Sequence, residues 1–325
     1  MMQEQKSITL NLYCDEVKEC SLKIAKLGIY EKWSYIGMLI VPEFVSNDLS
    51  EDLFNLRCLA DPPKVWGSCS NYCKYHELNN SEIHYEETSN TIKFKIARNW
   101  VQYWVKDKEK IYFYILGINL SKLDLNKFGP KEQQDRHSTI YNRFFRTAIK
   151  KALKRFFSEY DAIIVDNIYH DKGNLEDHKY FSWHSIYKIE SEEDKIYFNN
   201  PQIIFLDSDH RSEKGDPVHS QFIQLIDIIL GCVVNCLHYN STNKNKYELA
   251  SIAYEIVHRI IQRPNNKNSR YNYVKRQAIE FFPKEDLRGL DENSLEYKLK
   301  KFNQFYTNRK LLIEEHRTGQ ISFFD

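Results

Sequence analysis

Residues 221–237, QFIQLIDIILGCVVNCL, are apolar at nearly every helical angle, yet one carboxylate, Asp227, stands among them. A run of this kind reads as a buried helix, so Asp227 leaves water with it. An isolated buried charge is costly enough that it shifts its pKa, pairs with a cation or binds a metal. No Lys or Arg occurs between residues 215 and 243, so neighbours along the helix supply no counter-charge. A protonated or hydrogen-bonded core Asp and a metal-binding Asp are the two readings that remain.

Three more acids close apolar strand candidates: LNLYCD at Asp15, AIIVD at Asp166 and IIFLD at Asp207. Strand C-termini are where sites assemble in α/β sheets, although an Asp at a turn or cap explains each one singly. Glu82, in NNSEIHYEE, adds a further acid with His84, Glu86 and Glu87 nearby. Taken alone, that cluster is a solvated loop. Glu16 follows Asp15 directly, and His210 and His219 lie in the polar loop SDHRSEKGDPVH, where they serve either as proton carriers or as loop surface.

Coarse patterning places strands at 7–15, 33–41, 111–119 and 161–166, from their β-branched and aromatic content. Ser50 is the expected cap of a helix through EDLFNLRCLA, and the 3.6-residue period marks helices at 91–106 and 139–159. Residues 183–207 read as extended, Ser220 opens the apolar helix, and about 245–325 read as further helices with a polar tail. The expectation is an α/β fold, a mixed central sheet flanked by helices over residues 1–240, with a helical C-terminal extension over 241–325 packed on it. No GxGxxG or GxxxxGK[ST] occurs, which argues against a phosphate-cradling nucleotide loop.

Composition narrows the function classes. With 42% hydrophobic residues and a mean hydropathy of −0.61, the chain belongs to the soluble globular class. No run reads as a membrane span of ~20 residues, and MMQEQKSITLNLYCDE resembles no secretory or transit peptide, so a cytoplasmic protein is expected. Lys and Arg number 46 against 45 Asp and Glu, so any nucleic-acid site must be a local patch. Seven cysteines, an odd number, argue for free thiols; Cys69 and Cys73 alone do not complete a four-ligand zinc site.

The order of CDE near the start, SEIH, IIVD, and FLDSD followed by QLIDIILG resembles the family catalogued as domain of unknown function 3800, over roughly residues 8–240. That resemblance implies a ribonuclease H-like sheet whose carboxylates gather on two neighbouring central strands and two helices to hold two Mg2+ or Mn2+ ions. Carried over by position, it implies that Asp15, Glu82, Asp166 and Asp227 are the catalytic metal ligands, with Asp207 in support. The family's usual D-E-S-G reads Asp15-Glu16-Val17-Lys18 here, without the small residues that turn the chain.

Oxygen ligands select hard divalent ions, which suits phosphodiester hydrolysis of RNA or DNA, and the resemblance allows a role in host defence or a mobile element. Arg143, Arg146, Lys150, Lys151 and Lys154 could follow a phosphate backbone if their helix faces the acids, or form a solvated face. Tyr271 and Tyr273 among Arg270, Lys275 and Arg276 have a composition suited to stacking on bases. The tail GQISFFD resembles a sliding-clamp docking peptide through Gln320, Phe323 and Phe324. Two other classes stay open, a non-catalytic binding or scaffolding protein and a metal-independent glycoside hydrolase using two carboxylates.

Overall fold

The computed structural model describes residues 6–24, 29–60, 81–106, 110–128, 136–172, 183–238, 241, 243–262, 275–283 and 291. Seven strands, β1 (Ser7–Ile24), β2 (Ile29–Pro42), β3 (Tyr112–Asn119), β4 (Ala162–Asp171), β5 (Ile196–Phe198), β6 (Ile203–Leu206) and β7 (Gln277–Phe282), form one mixed sheet. Its order is β5-β4-β1-β2-β3-β7, with β6 pairing farther along β4. β1 pairs antiparallel with β2 and β2 with β3; β4 is parallel to β1, β5 and β6 are parallel to β4, and β7 is parallel to β3.

Six helices cover the sheet: α1 (Glu43–Asn55), α2 (Thr91–Lys106), α3 (Arg136–Phe156), α4 (Trp183–Glu192), α5 (His219–His238) and α6 (Lys244–Gln262). Alternation along β1 sends Leu10, Leu12 and Cys14 into one core with α3 and α4, while Tyr13 enters the other with α1, α2, α5 and α6. Two separate cores, one on each side of the sheet, result. By length and composition α5 could cross a membrane, but 94% of its apolar window is buried inside this fold. Among the described residues Cys14, Cys20, Cys58, Cys232 and Cys236 are buried and in no disulfide, and Cys69 and Cys73 lie outside the described residues.

Three expectations require correction. The first helix starts at Glu43, directly after Pro42 (φ −59°, ψ 141°), and Ser50 is buried within it rather than capping it. The fixed proline φ ends β2, and Glu43 complements the helix dipole in the first turn. Residues 183–192 are helical, because Ile186 and Ile189, one turn apart, both reach the core under α3. The C-terminal region is not helical throughout: Gln277–Phe282 supplies an edge strand to the sheet, its alternate residues packing on both cores.

Candidate carboxylate site

Strands β1 and β4 are neighbours at the centre of the sheet, and their register decides which acids meet. Leu10 pairs with Val165 but Asn11 pairs with Asn167, so Asp166 is the extra residue of a bulge. The bulge reverses the alternation of β4: Ile168 and His170 now share the α3 side, and Tyr169 and Asp171 share the α5 side with Tyr13 and Asp15. Because Cys14 pairs with His170, the next step along the strands sets Asp15 beside Asp171. The expected partner, Asp166, stands five residues earlier, about 16 Å away at ~3.3 Å per residue. Its oxygens accept hydrogen bonds from Asn167 at 2.8 Å and Asn199 at 3.1 Å. The structure therefore does not bring Asp166 to the other acids, and Asp171 takes that place.

Helix α5 delivers Asp227 to the same face. Opposite Asp15 on β2 lies Gly37, where a Cβ would come within 3.2 Å of Leu230 Cδ2 and 3.3 Å of Ile226 Cγ1, so the glycine lets the helix settle close to the sheet. From Ser220 to His238 every α5 residue is buried except Asp227 and Gly231. Gly231, one turn on, admits the Tyr85 ring, whose Cγ would lie 2.2 Å from any Cβ there. That contact presses residues 82–87 onto the helix. The Tyr85 N–H then donates to Asp227 Oδ2 at 2.8 Å, and Gln224, from the turn before, accepts from the Ile83 N–H at 3.0 Å and donates to the Ser208 carbonyl at 2.6 Å. Buried Arg57 donates to both Gln221 and Gln224, which fixes these amides.

His84 stands between two acids, with Nε2 2.7 Å from Glu82 Oε1 and Nδ1 3.2 Å from Asp227 Oδ2. Those bonds, the one to Asp227 foremost, raise its pKa to about 11 and keep it cationic. Burial pushes Glu82 upward, but hydrogen bonds from His84 and Ser208 outweigh it and leave the carboxyl below its usual range. Ser208 Oγ also approaches His84 Nε2 at 3.3 Å. The β-strand acids behave in the opposite way. Burial, and then the charges of Asp227, Glu16 and Asp171, hold Asp15 well above the usual carboxylate range. Burial raises Asp171 to about 6, with Asp227 adding to the shift and Ser208, His84 and His170 opposing it.

Asp15, Asp171 and Asp227 thus come together on the α5 side of the sheet, the strand acids buried and Asp227 part-exposed, with Glu82, His84 and Ser208 beside them. Among the described residues, Asp171 Oδ1 is buried without a hydrogen-bond partner, an arrangement that costs free energy unless a cation or proton occupies it. The donors are oxygen-rich, anionic and mutually repelling, so their chemistry fits a hard divalent cation. Among the described residues no three His, Cys, Asp or Glu side chains already converge on one point as a metal-holding group. Cation binding at this group would therefore require side chains to turn toward the ion.

The remaining candidates occupy other places. Glu16 points to the α3 side, where it meets His170. Asp207 Oδ1 accepts from the Asp209 N–H at 2.9 Å and shapes the loop after β6. His210 is buried beside Gln224 and Phe54, and burial with Arg57 lowers its pKa to about 4. His219 lies 2.7 Å from the Tyr13 hydroxyl and 3.2 Å from that of Tyr169, and burial lowers its pKa. The basic stretch of α3 lies on the opposite side of the sheet from Asp15 and Asp227. Arg146 and Lys150 pair with Glu192, Lys150 and Lys154 with Glu193, and Lys151 and Arg155 with Glu280; Arg143 lies over the Phe128 ring. The geometric condition for a phosphate-tracking stripe beside the acids is therefore unmet. Arg270, Tyr271, Tyr273, Gln320, Phe323 and Phe324 lie outside the described residues.

No protein-family model matches the chain, and no curated protein or solved structure matches it.

Proposed function

We propose that this chain is a divalent-metal-dependent nuclease of ribonuclease H-like fold, hydrolysing phosphodiester bonds of RNA or DNA. The observation that carries the reading is the meeting of Asp15, Asp171 and Asp227: burial and the charge of Asp227 raise both strand carboxyls, and the buried Asp171 Oδ1 has no hydrogen-bond partner among the described residues. A resting arrangement of this kind is unfavourable by itself, and selection for a bound cation explains why a fold would keep it. Acids on two neighbouring central strands and a helix also agree with what the likeness to domain of unknown function 3800 implies, with Asp171 in place of Asp166. Host defence or mobile-element maintenance is the setting that likeness suggests.

In this reading Asp15, Asp171 and Asp227 would hold Mg2+ or Mn2+, one ion or two, with Glu82 completing the oxygen set, and the bound metal would supply activation of water and charge stabilisation of the leaving oxygen. The protein's own part is orientation. The Tyr85 N–H fixes Asp227, Ser208 fixes Glu82, and the His84 cation keeps a proton between those two acids. The absent D-E-S-G turn is accommodated because β1 does not turn after Asp15 but runs on to Ile24 against β2.

A glycoside hydrolase without metal remains a second reading for one reason: Asp15 is raised while Glu82 is lowered, the separation that acid and base pairs need. Incubation with end-labelled RNA and DNA in Mn2+ or EDTA separates the two. Cleavage that requires Mn2+ supports the nuclease; undiminished cleavage in EDTA contradicts its metal dependence. Metal binding without turnover would identify the scaffolding alternative.

A further inference from the structure

Behind the acids, on the other side of the same two strands, lies a second set of titratable groups that the proposed reaction does not use. Glu16 follows Asp15 and His170 precedes Asp171, so alternation turns both toward α3. There Glu16 Oε2 is 3.3 Å from His170 Nε2, with the two side chains only 8% and 1% exposed. The Tyr141 hydroxyl, from α3, lies 2.6 Å from the same nitrogen, and His170 Nδ1 lies 2.9 Å from the backbone carbonyl oxygen of Asp171. The rings of Phe145 and Phe205 enclose the imidazole. Polar groups this deeply buried persist only when they are mutually bonded. The two faces differ: Asp15 and Asp171 are like-charged neighbours on one, and Glu16, His170 and Tyr141 lie within polar contact distance on the other, through adjacent residues of the same strands.

We propose that Tyr141, His170 and Glu16 are positioning residues, a clamp that fixes the spacing of Asp15 and Asp171 and thereby sets the site's affinity for a divalent cation. This inference rests on the metal-binding reading above. Holding the two carboxylates at a set distance before the ion arrives reduces the reorganisation that binding requires, the usual service of groups one shell behind metal ligands.

Calorimetric titration of Mn2+ into the full chain tests the clamp, using Tyr141→Phe, His170→Leu, Glu16→Gln, the His170→Leu/Glu16→Gln pair and a control, Leu153→Ala, in the same core. Each clamp variant should weaken Mn2+ binding by about tenfold or more. The double variant should be no weaker than the worse single, and His170→Gln should recover part of the loss. Leu153→Ala should lower Tm and leave Mn2+ affinity unchanged. Tyr141→Phe removes one oxygen only and keeps the test available if His170→Leu does not fold. Unmodified affinity in the folded clamp variants overturns the clamp while leaving the metal reading intact, as do losses that merely follow Tm. Absence of saturable Mn2+ binding in the unmodified chain overturns both.

Discussion

The two sides of the central sheet handle charge in opposite ways. On one side, α3 carries Arg146, Lys150, Lys151, Lys154 and Arg155, and Glu192, Glu193 and Glu280 neutralise them in partly exposed ion pairs. On the other, Asp227 of α5 is met by the His84 cation and the Tyr85 N–H, while Asp15 and Asp171 on the strands are buried beside its charge with no such partner cation among the described residues. Exposed pairs are worth about 0–1 kcal/mol each, whereas a desolvated, uncompensated carboxylate costs several times that. Charge that the fold leaves opposed, rather than charge that is abundant, marks the candidate site.

The largest break of this comparison is removal of the acids themselves. Asp15→Asn, Asp171→Asn and Asp227→Asn should each lower Mn2+-dependent cleavage of labelled nucleic acid by about a thousandfold, about 4 kcal/mol of transition-state stabilisation, measured as single-turnover rates. A surviving rate within tenfold of the unmodified chain would contradict the assignment.

Stability should respond in the reverse sense. Asp171 takes up its proton at about 6 in the fold and at 3.8 ordinarily, so the folded state binds the proton more tightly across that window. Its ionisation destabilises progressively as pH rises through the window and fully above it. The metal-free protein should thus gain stability from this group on acidification from 7 to 4, and Asp171→Asn in EDTA at pH 7.5 should gain up to about 3 kcal/mol, read as a higher Tm. His84, raised from 6.5 to about 11, contributes stabilisation that is complete below 6.5 and lost toward 11. His84→Asn should flatten the alkaline limb of a Tm–pH curve.

Gly231→Ala should cost about 1–3 kcal/mol by driving a methyl group into the Tyr85 ring, and should weaken Mn2+ binding as residues 82–85 lift away from Asp227. Denaturant unfolding with parallel Mn2+ titration reads both effects. The smallest change belongs to α3: Lys150→Gln with Lys154→Gln should cost no more than about 1 kcal/mol and leave the Kd for nucleic acid within twofold. A tenfold rise in that Kd would restore α3 as a binding face.

Much of this was legible in the chain. The all-round apolar character of 221–237 announced a buried helix with Asp227 as its anomaly, and the β-branched and aromatic content of 7–15 announced a strand ending at Asp15. Asp171 was hidden because an acid after AIIV reads as a strand end, while in fact the strand continues through NIYHD. The bulge at Asp166, which reverses the alternation, depends on pairing with β1 and leaves no local signature. Residues 183–192 misread as extended because their aromatic and β-branched content imitates a strand, and only the common burial of Ile186 and Ile189 shows the helical period. Ser208 and His170 gained their places from contacts made across the sheet or between loops more than a hundred residues apart, which no window of sequence contains.

Calorimetric titration of Mn2+ into the unmodified chain, Asp171→Asn and Asp166→Asn tests the central claim most directly. Opposed carboxylates at Asp15, Asp171 and Asp227 predict saturable binding that Asp171→Asn abolishes and Asp166→Asn preserves. Binding lost in Asp166→Asn and kept in Asp171→Asn, or absent from the unmodified chain, would contradict it.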